Sequence, residues 1–383
     1  MTFAFRTLAV ALLSLSTVFS ARAEPIPQPP SIEAKSWVLL DFDSGTVLTA
    51  SNGDSRVEPA SITKVLAAYV VFDEIKKGRL KLTDTALISE KAWRQGIDSS
   101  ESRMFLNLGS RVSVEDLLHG IITQSGNDAS VALAEHVAGS EDAFANMMNA
   151  TAKRLGMSNS HFVNAPGMPD PDHYTTAKDL ALLGQALIRD FPDTYPWFAM
   201  PEFEYNGIKQ QNRNLLLKMD RAVDGIKTGH TAAAGYCLLS SAKRENRRLV
   251  AAVMGTVSPK YRSEVSLALL NWGFRFFENT AMLGPDKPAG SVQVWKGSAD
   301  VVNVGTLMPV TLTLPRGTSG TVEAKPTVTA RLVAPLKKGQ VVGTVAVSKD
   351  GKVVTTQPLV VLQDVPAGGF FKRLWHTIRL WFV

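Results

Sequence analysis

Pro59-Ala60-Ser61-Ile62-Thr63-Lys64 introduces a helical stretch that runs to about Lys77, and it sets a serine and a lysine three residues apart at its start. On a helix that spacing brings a hydroxyl and an amine onto one face, within reach of each other. A serine at a helix N-terminus also meets free backbone N–H groups and the positive end of the dipole, both suited to a developing oxyanion. The lysine can activate the hydroxyl if its surroundings lower its pKa. The plain alternative is an N-cap serine beside a solvated lysine. Ser240-Ser241-Ala242-Lys243 repeats the spacing on an expected strand, where residues i and i+3 face opposite sides. The spacing therefore counts only in its setting.

That setting is mixed. Before the helix, Trp37-Val38-Leu39-Leu40 and Thr46-Val47-Leu48 flank Asp43-Ser44-Gly45 and read as a hairpin. After it, helical periodicity runs from Val114 to about Leu155, broken at Gln124-Ser125-Gly126-Asn127 and near Gly139-Ser140. Thr176 to Arg189 reads as a further helix, with Thr176 and Asp179 spaced as a capping box. Strand patterns return at Asp224–Thr231, Tyr236–Ala242 and Arg248–Val257, and a helix of about twenty residues ends near Glu278. One antiparallel sheet with helices packed against it is the economical solution. Residues 280–365 lack helical periodicity; the runs Val301–Val304, Val310–Leu314, Thr327–Val333 and Val341–Val347 between Gly and Pro turns indicate a small all-β domain.

Two more motifs fall on this frame. Ser125-Gly126-Asn127 lies at the interhelix break, where polar side chains project from a turn, although an ordinary capped turn has the same look. Lys227-Thr228-Gly229 lies on a strand, where glycine would let a substrate backbone approach closely, although an edge strand with an exposed lysine reads the same way. In order, spacing and placement the three motifs resemble the penicillin-recognising serine acyltransferases. Longer stretches, among them Ser125-Gly126-Asn127-Asp128-Ala129-Ser130, Gln211-Asn212-Arg213-Asn214, Val223 to Thr231 and Leu270-Asn271-Trp272-Gly273-Phe274, look like the D-alanyl-D-alanine carboxypeptidases of low-molecular-mass penicillin-binding type. Ala334 to Gly343 resembles that family's C-terminal domain.

The resemblance implies an α+β fold, a serine β-lactamase/DD-peptidase-like domain followed by the small all-β domain. It also implies roles. Ser61 would attack the carbonyl between the last two D-alanines of a peptidoglycan stem peptide, with Lys64 taking its proton. Backbone N–H groups of Ser61 and His230 would form the oxyanion hole. Ser125 and Lys227 would relay a proton to the leaving D-alanine, Asn127 would hold the peptide amide, and Gly229 would line the substrate strand. Thr228 and Arg213 would bind the terminal carboxylate, with Arg262 as a further candidate. β-Lactam antibiotics would acylate the same Ser61. A class A β-lactamase shares this logic but uses a carboxylate for deacylation, and no Glu-x-x-Leu-Asn stands between Asn127 and Lys227. The same motifs would serve a DD-endopeptidase, whereas a non-catalytic peptidoglycan-binding scaffold would have no need for both lysines.

The ends explain the charge. Arg6, an apolar run from Leu8 to Phe19 and Ala21-Arg22-Ala23 form the pattern of a secretory signal peptide cleaved after Ala23. Pro25 to Pro30 reads as an extended linker. At the other end, placing residues 370–383 on a helix gathers Phe370, Phe371, Leu374, Trp375, Ile378, Trp381 and Phe382 within an arc of ~140°, opposite Lys372, Arg373, His376 and Arg379, with Leu380 and Val383 breaking the pattern. Fourteen such residues reach ~21 Å, short of a ~30 Å hydrocarbon core, so the segment is expected to lie on a membrane surface. A terminal helix docked on the core is the competing reading. The formal net charge of +6 includes Arg6 and Arg22 in the leader and Lys372, Arg373 and Arg379 in the tail. Residues 24–369 therefore carry a net +1, which argues against a nucleic-acid partner. The expected division is leader 1–23, linker 24–35, catalytic domain 36–279, β domain 280–365, and hinge with anchor helix 366–383. This places the protein in the periplasm, on the inner membrane. One cysteine, Cys237, rules out an intrachain disulfide and reads as a core residue; histidines without ligand spacing predict no metal, and no cofactor is called for.

Overall fold

A computed structural model describes residues 26–97, 101–318 and 320–381; the expected leader, 1–23, lies outside them. A five-stranded antiparallel sheet runs in the order Val47–Ser51, Ser36–Asp41, Arg247–Thr256, Gly235–Arg244, Val223–Thr231. The strand that carries Lys227-Thr228-Gly229 is thus an edge. Alternate side chains enter separate cores: Val38, Leu40, Val250, Ala252 and Met254 face the helical block, whereas Trp37, Leu39, Leu249, Ala251 and Val253 face the helix Pro259–Phe276. Burial on both faces explains why Trp37–Leu40 is a continuous apolar run.

The helix Thr63–Lys76 is buried at every residue from Thr63 to Phe72. Such a helix belongs in the middle of a core, and it carries Lys64 inside with it. Around it stand Asn127–Ala138, Glu141–Arg154 and Ala177–Asp190. Thr176 caps the last of these, its Oγ1 accepting from the Asp179 N–H at 3.0 Å. The reciprocal half of the expected capping box is replaced: the Asp179 carboxylate accepts from the Asn159 N–H and the Ser160 hydroxyl, tying down the preceding loop. Residues 26–35 have no regular structure, as a proline-rich stretch should, yet they are packed. Ile26, Ile32 and Ala34 join the core under Pro259–Phe276, and the Trp272 indole donates to the Pro27 carbonyl at 3.0 Å.

From Phe277 the chain is β. Phe277–Leu283 pairs with Val310–Pro315, and a six-stranded sheet follows in the order Val322–Val328, Val341–Lys349, Lys352–Val361, Val301–Gly305, Pro288–Trp295, Leu332–Val333. The run Thr327–Val333, expected as one strand, is divided between the two outer strands, with exposed residues 329–331 crossing between them. A buried polar joint links the two regions. Asp41 pairs with Arg247 at 2.9 Å and accepts from Asn279 at 3.1 Å, and Asn279 in turn accepts from Thr313 at 2.8 Å.

The terminal helix spans Phe370–Arg379. It docks by its polar side: His376 is buried, its Nδ1 accepting from the Lys296 N–H at 2.8 Å, and Lys372 pairs with Asp300 at 2.8 Å. Phe370, Phe371, Leu374, Trp375, Ile378 and Trp381 stay exposed. Phe382 and Val383 lie outside the described residues. Among the described residues no helix is long and apolar enough to cross a membrane.

Candidate active site

The α-helix begins at Thr63, two residues later than the periodicity of the Ser61 motif predicts. Ser61 sits instead in a 3-10 turn, Ala60–Ile62, entered through Ala60 at φ +48°. A left-handed alanine is costly and persists only where its surroundings over-determine it. Two glycines do this. A Cβ at Gly229 would lie 2.8 Å from the Pro59 oxygen, and one at Gly167 would overlap the Ala60 carbonyl oxygen and lie 2.7 Å from Thr63 Oγ1. The missing side chain at Gly229 thus makes room for the nucleophile's own turn, while Gly229 also lines the cavity.

Lys64 lies directly behind Ser61 and is fully buried. Its Nζ bonds Ser61 Oγ at 3.0 Å, Asn127 Oδ1 at 2.7 Å and the Pro166 carbonyl at 2.7 Å. Burial, with help from the Arg213 charge, pushes its pKa down to about 7, while Asp128 and Glu101 pull it up. A lysine in that range can take a proton near neutral pH.

Ser125 ends the π turn Gly120–Gln124 in a left-handed conformation, φ 64° and ψ 31°, and lines the same cavity as Ser61. Asn127 opens the next helix. Its Nδ2 donates to Glu101 Oε2 at 2.9 Å and to Met168 Sδ at 3.4 Å. Asp128 accepts from the N–H groups of Met104, Leu106 and Ala129, which fixes the 102–106 segment against the helix N-terminus.

On the edge strand Lys227 and Thr228 are buried and His230 is exposed. Burial depresses the Lys227 pKa, and Lys64, Arg213 and Arg262 depress it further. His230 stacks on Tyr236, centroids 4.0 Å apart, and its Nδ1–H donates to the Gly235 carbonyl at 3.1 Å. Arg262, on the helix Pro259–Phe276, is buried and spends NH1 on the carbonyls of Gly229 and Cys237, at 3.2 and 3.4 Å. Exposed Arg213 donates to Ser102 Oγ at 2.6 Å. Ser61, Ser125, Asn127, Thr228, Gly229, His230, Arg213 and Arg262 all line one cavity of about 680 Å³, with Lys64 bonded to two of them from beneath. Cys237 is buried and its thiol is pushed up to about 11, as a core residue should be.

Residues 23–258 match the family model described as D-alanyl-D-alanine carboxypeptidase, and residues 277–367 match that of the penicillin-binding protein 5 C-terminal domain. The chain belongs to the D-alanyl-D-alanine carboxypeptidase family. It is 43% identical to the D-alanyl-D-alanine carboxypeptidase DacC of Escherichia coli (strain K12), over 97% of this chain and 94% of that one. The crystal structure of penicillin binding protein 5 from Haemophilus influenzae superposes with a TM-score of 0.79 at 42% identity, covering 89% of this chain and 99% of that one. Penicillin-binding protein D2 from Listeria monocytogenes, solved with cefotaxime bound, matches at a TM-score of 0.59 and 29% identity, over 64% of this chain and 100% of that one. Membership makes the chain a serine-type D-Ala-D-Ala carboxypeptidase, a hydrolase of the cell wall, with the expected α+β fold and C-terminal β domain.

Parts of this carboxypeptidase site escaped sequence reasoning. The Pro166 carbonyl is a backbone atom, and only the turn-rich Asn164-Ala165-Pro166-Gly167 hints at its loop. His173 is buried, its Nε2–H donating to Thr63 Oγ1 at 2.9 Å while Nδ1 accepts from the Val163 N–H at 3.2 Å. Burial pushes its pKa down to about 4, so it stays neutral and braces the first residue of the helix. Glu101 carried no motif signal.

Proposed function

We propose that Ser61 is the nucleophile and Lys64 its base in a two-step acyl transfer that removes the terminal D-alanine from a peptidoglycan stem peptide. The contact that carries this reading is Lys64 Nζ at 3.0 Å from Ser61 Oγ, with its other two partners both acceptors. A neutral amine has two N–H bonds and one lone pair. Asn127 Oδ1 and the Pro166 carbonyl take the two hydrogens, which leaves the lone pair for the serine hydroxyl. As Oγ bonds to the carbonyl carbon, its proton passes to Nζ, and charge on the carbonyl oxygen is met by the N–H groups of Ser61 and His230. Collapse breaks the C–N bond, and the leaving amine of D-alanine takes a proton through Ser125 and Lys227. Water then hydrolyses the ester.

Asn127 holds the peptide amide: its second Nδ2 hydrogen rests on a thioether, a weak acceptor that a substrate carbonyl can replace. Thr228 and Arg213 receive the terminal carboxylate. Arg262, with NH1 on two backbone carbonyls, braces the Gly229 strand and adds positive potential. A β-lactam presents its carbonyl to the same Ser61.

The proposed organisation is a leader at 1–23, a linker at 24–35, a catalytic domain at 36–279, a β domain at 280–365 and a membrane-surface helix within 366–383, with the enzyme periplasmic at the inner membrane. The outward apolar face of Phe370–Arg379, docked through His376 and Lys372, supports the last of these.

The test uses a fluorescent penicillin and a stem pentapeptide. Wild-type protein should label covalently and release D-alanine, and Ser61→Ala should do neither. An unlabelled wild type, or a labelled Ser61→Ala, would end the acyl-enzyme reading.

A further inference from the structure

We propose that Glu101 is a positioning residue for the base: its carboxylate fixes the Asn127 amide with the oxygen toward Lys64 and holds a negative charge beside that amine. The proposal rests on Lys64 being the base. A side-chain amide can be placed two ways round, and only its surroundings choose. Glu101 Oε2, 2.9 Å from Asn127 Nδ2, is an acceptor, so the NH₂ end must face it. Asn127 Oδ1 is then left to accept from Lys64 at 2.7 Å. The opposite orientation would set the carbonyl against the carboxylate and the NH₂ group against the amine. With Oδ1 fixed, one Lys64 hydrogen is fixed; the Pro166 carbonyl takes the other, and only then is the lone pair directed at Ser61.

The charges around Lys64 come from several elements. Arg213 is the cation that lowers its pKa, and Lys227, on the edge strand, is a buried amine whose own pKa Lys64 depresses; Asp128 comes from the same helix as Asn127, and Glu101 from the segment before it. His173, near the loop that supplies the Pro166 carbonyl, is neutral. Of the two carboxylates, Asp128 is committed to three backbone N–H groups and holds the local fold. Glu101 is half-buried at the cavity wall. Glu101 pulls the Lys64 pKa up, and without its charge the amine becomes free to accept a proton at lower pH.

The experiment measures kcat/KM for D-alanine release from a stem pentapeptide between about pH 5 and 9 for wild type, Glu101→Gln and Glu101→Ala. Thermal melts and penicillin labelling at the alkaline end count the folded enzyme in each preparation. Glutamine keeps an acceptor for Asn127 and removes the charge, so its acid limb should move down by about 0.5–1 pH unit. At pH 5.5 it should outpace wild type by about three- to eightfold. Alanine also loses the acceptor, and its alkaline plateau should fall by about tenfold. If Glu101→Ala does not fold, the Glu101→Gln profile decides alone. A wild-type acid limb that Glu101→Gln leaves in place overturns the role of Glu101 and leaves Ser61 and Lys64 untouched. A wild type with no acid limb in this range overturns Lys64 as base, and this inference with it.

Discussion

Gly167→Ala tests whether the loop behind the nucleophile holds the base in place. Gly167 has φ +87°, and its added Cβ would overlap the Ala60 carbonyl oxygen, with Ala60 C at 2.6 Å and Thr63 Oγ1 at 2.7 Å. Ordinary contacts there need about 3.4 Å or more, so the loop or the turn must give by roughly 1 Å. The neighbouring Pro166 carbonyl is 2.7 Å from Lys64 Nζ, and a 1 Å retreat takes it out of hydrogen-bond range. The left-handed alanine costs about 1–2 kcal/mol, and the overlap adds about 1–3 kcal/mol. Misplacing a catalytic group by 1 Å costs about 10²-fold in rate. Gly78→Ala is the control, because Gly78 has φ +72° and no atom within 4 Å of the added Cβ, so it carries the backbone cost alone. The assays are the second-order rate of acylation by a fluorescent penicillin and the denaturation midpoint. Gly167→Ala should acylate about a hundredfold more slowly than Gly78→Ala and melt lower. Equal acylation rates and equal melting in the two variants would refute the claim that this packing positions Lys64.

Asp41→Asn should destabilise the protein by about 3 kcal/mol, because Asp41 is completely buried and the Arg247 guanidinium would lose its counter-charge. A denaturant midpoint equal to wild type would contradict this, and acylation per folded molecule should not change. Deleting residues 370–383, or introducing Phe371→Glu with Trp375→Glu, should move the protein from the membrane to the soluble fraction while D-alanine release persists. Unaltered membrane association would remove the case for the terminal helix as an anchor.

The readable parts of the molecule were those written in local pattern. The hairpin around Asp43-Ser44-Gly45, the break at Gln124–Asn127 and the strand under Lys227-Thr228-Gly229 all follow from period, turn residues and caps, and each stands where its pattern put it. The serine–lysine spacing was legible for the same reason. What could not be read were contacts between backbone atoms distant in sequence. Nothing in Pro166 says that its carbonyl meets Lys64 from 102 residues away, and no propensity assigns φ +48° to Ala60. The split of Thr327–Val333 between opposite sheet edges is likewise a tertiary event, since its residues suit one continuous strand.

The position of the base shows why these distant contacts matter. A lysine suited to deprotonation near neutrality must be desolvated, and desolvation alone would only expel it or leave it unpaired. Here the helix is buried at every residue from Thr63 to Phe72, and Lys64 is held inside with it, beneath the cavity that Ser61 and Asn127 line. Its amine is then met by three oxygens from three separate pieces of chain: Ser61 beside it, Asn127 at a helix start, and Pro166 in a loop pressed onto the nucleophile's turn. Each piece is fixed by something other than the lysine. Asp128 holds the start of the second helix, His173 braces Thr63, and the bare faces of Gly167 and Gly229 let the loop and the strand close on Ala60. The amine is therefore held in a cage that exists before it, and the strain at Ala60 can persist because no single contact sustains it.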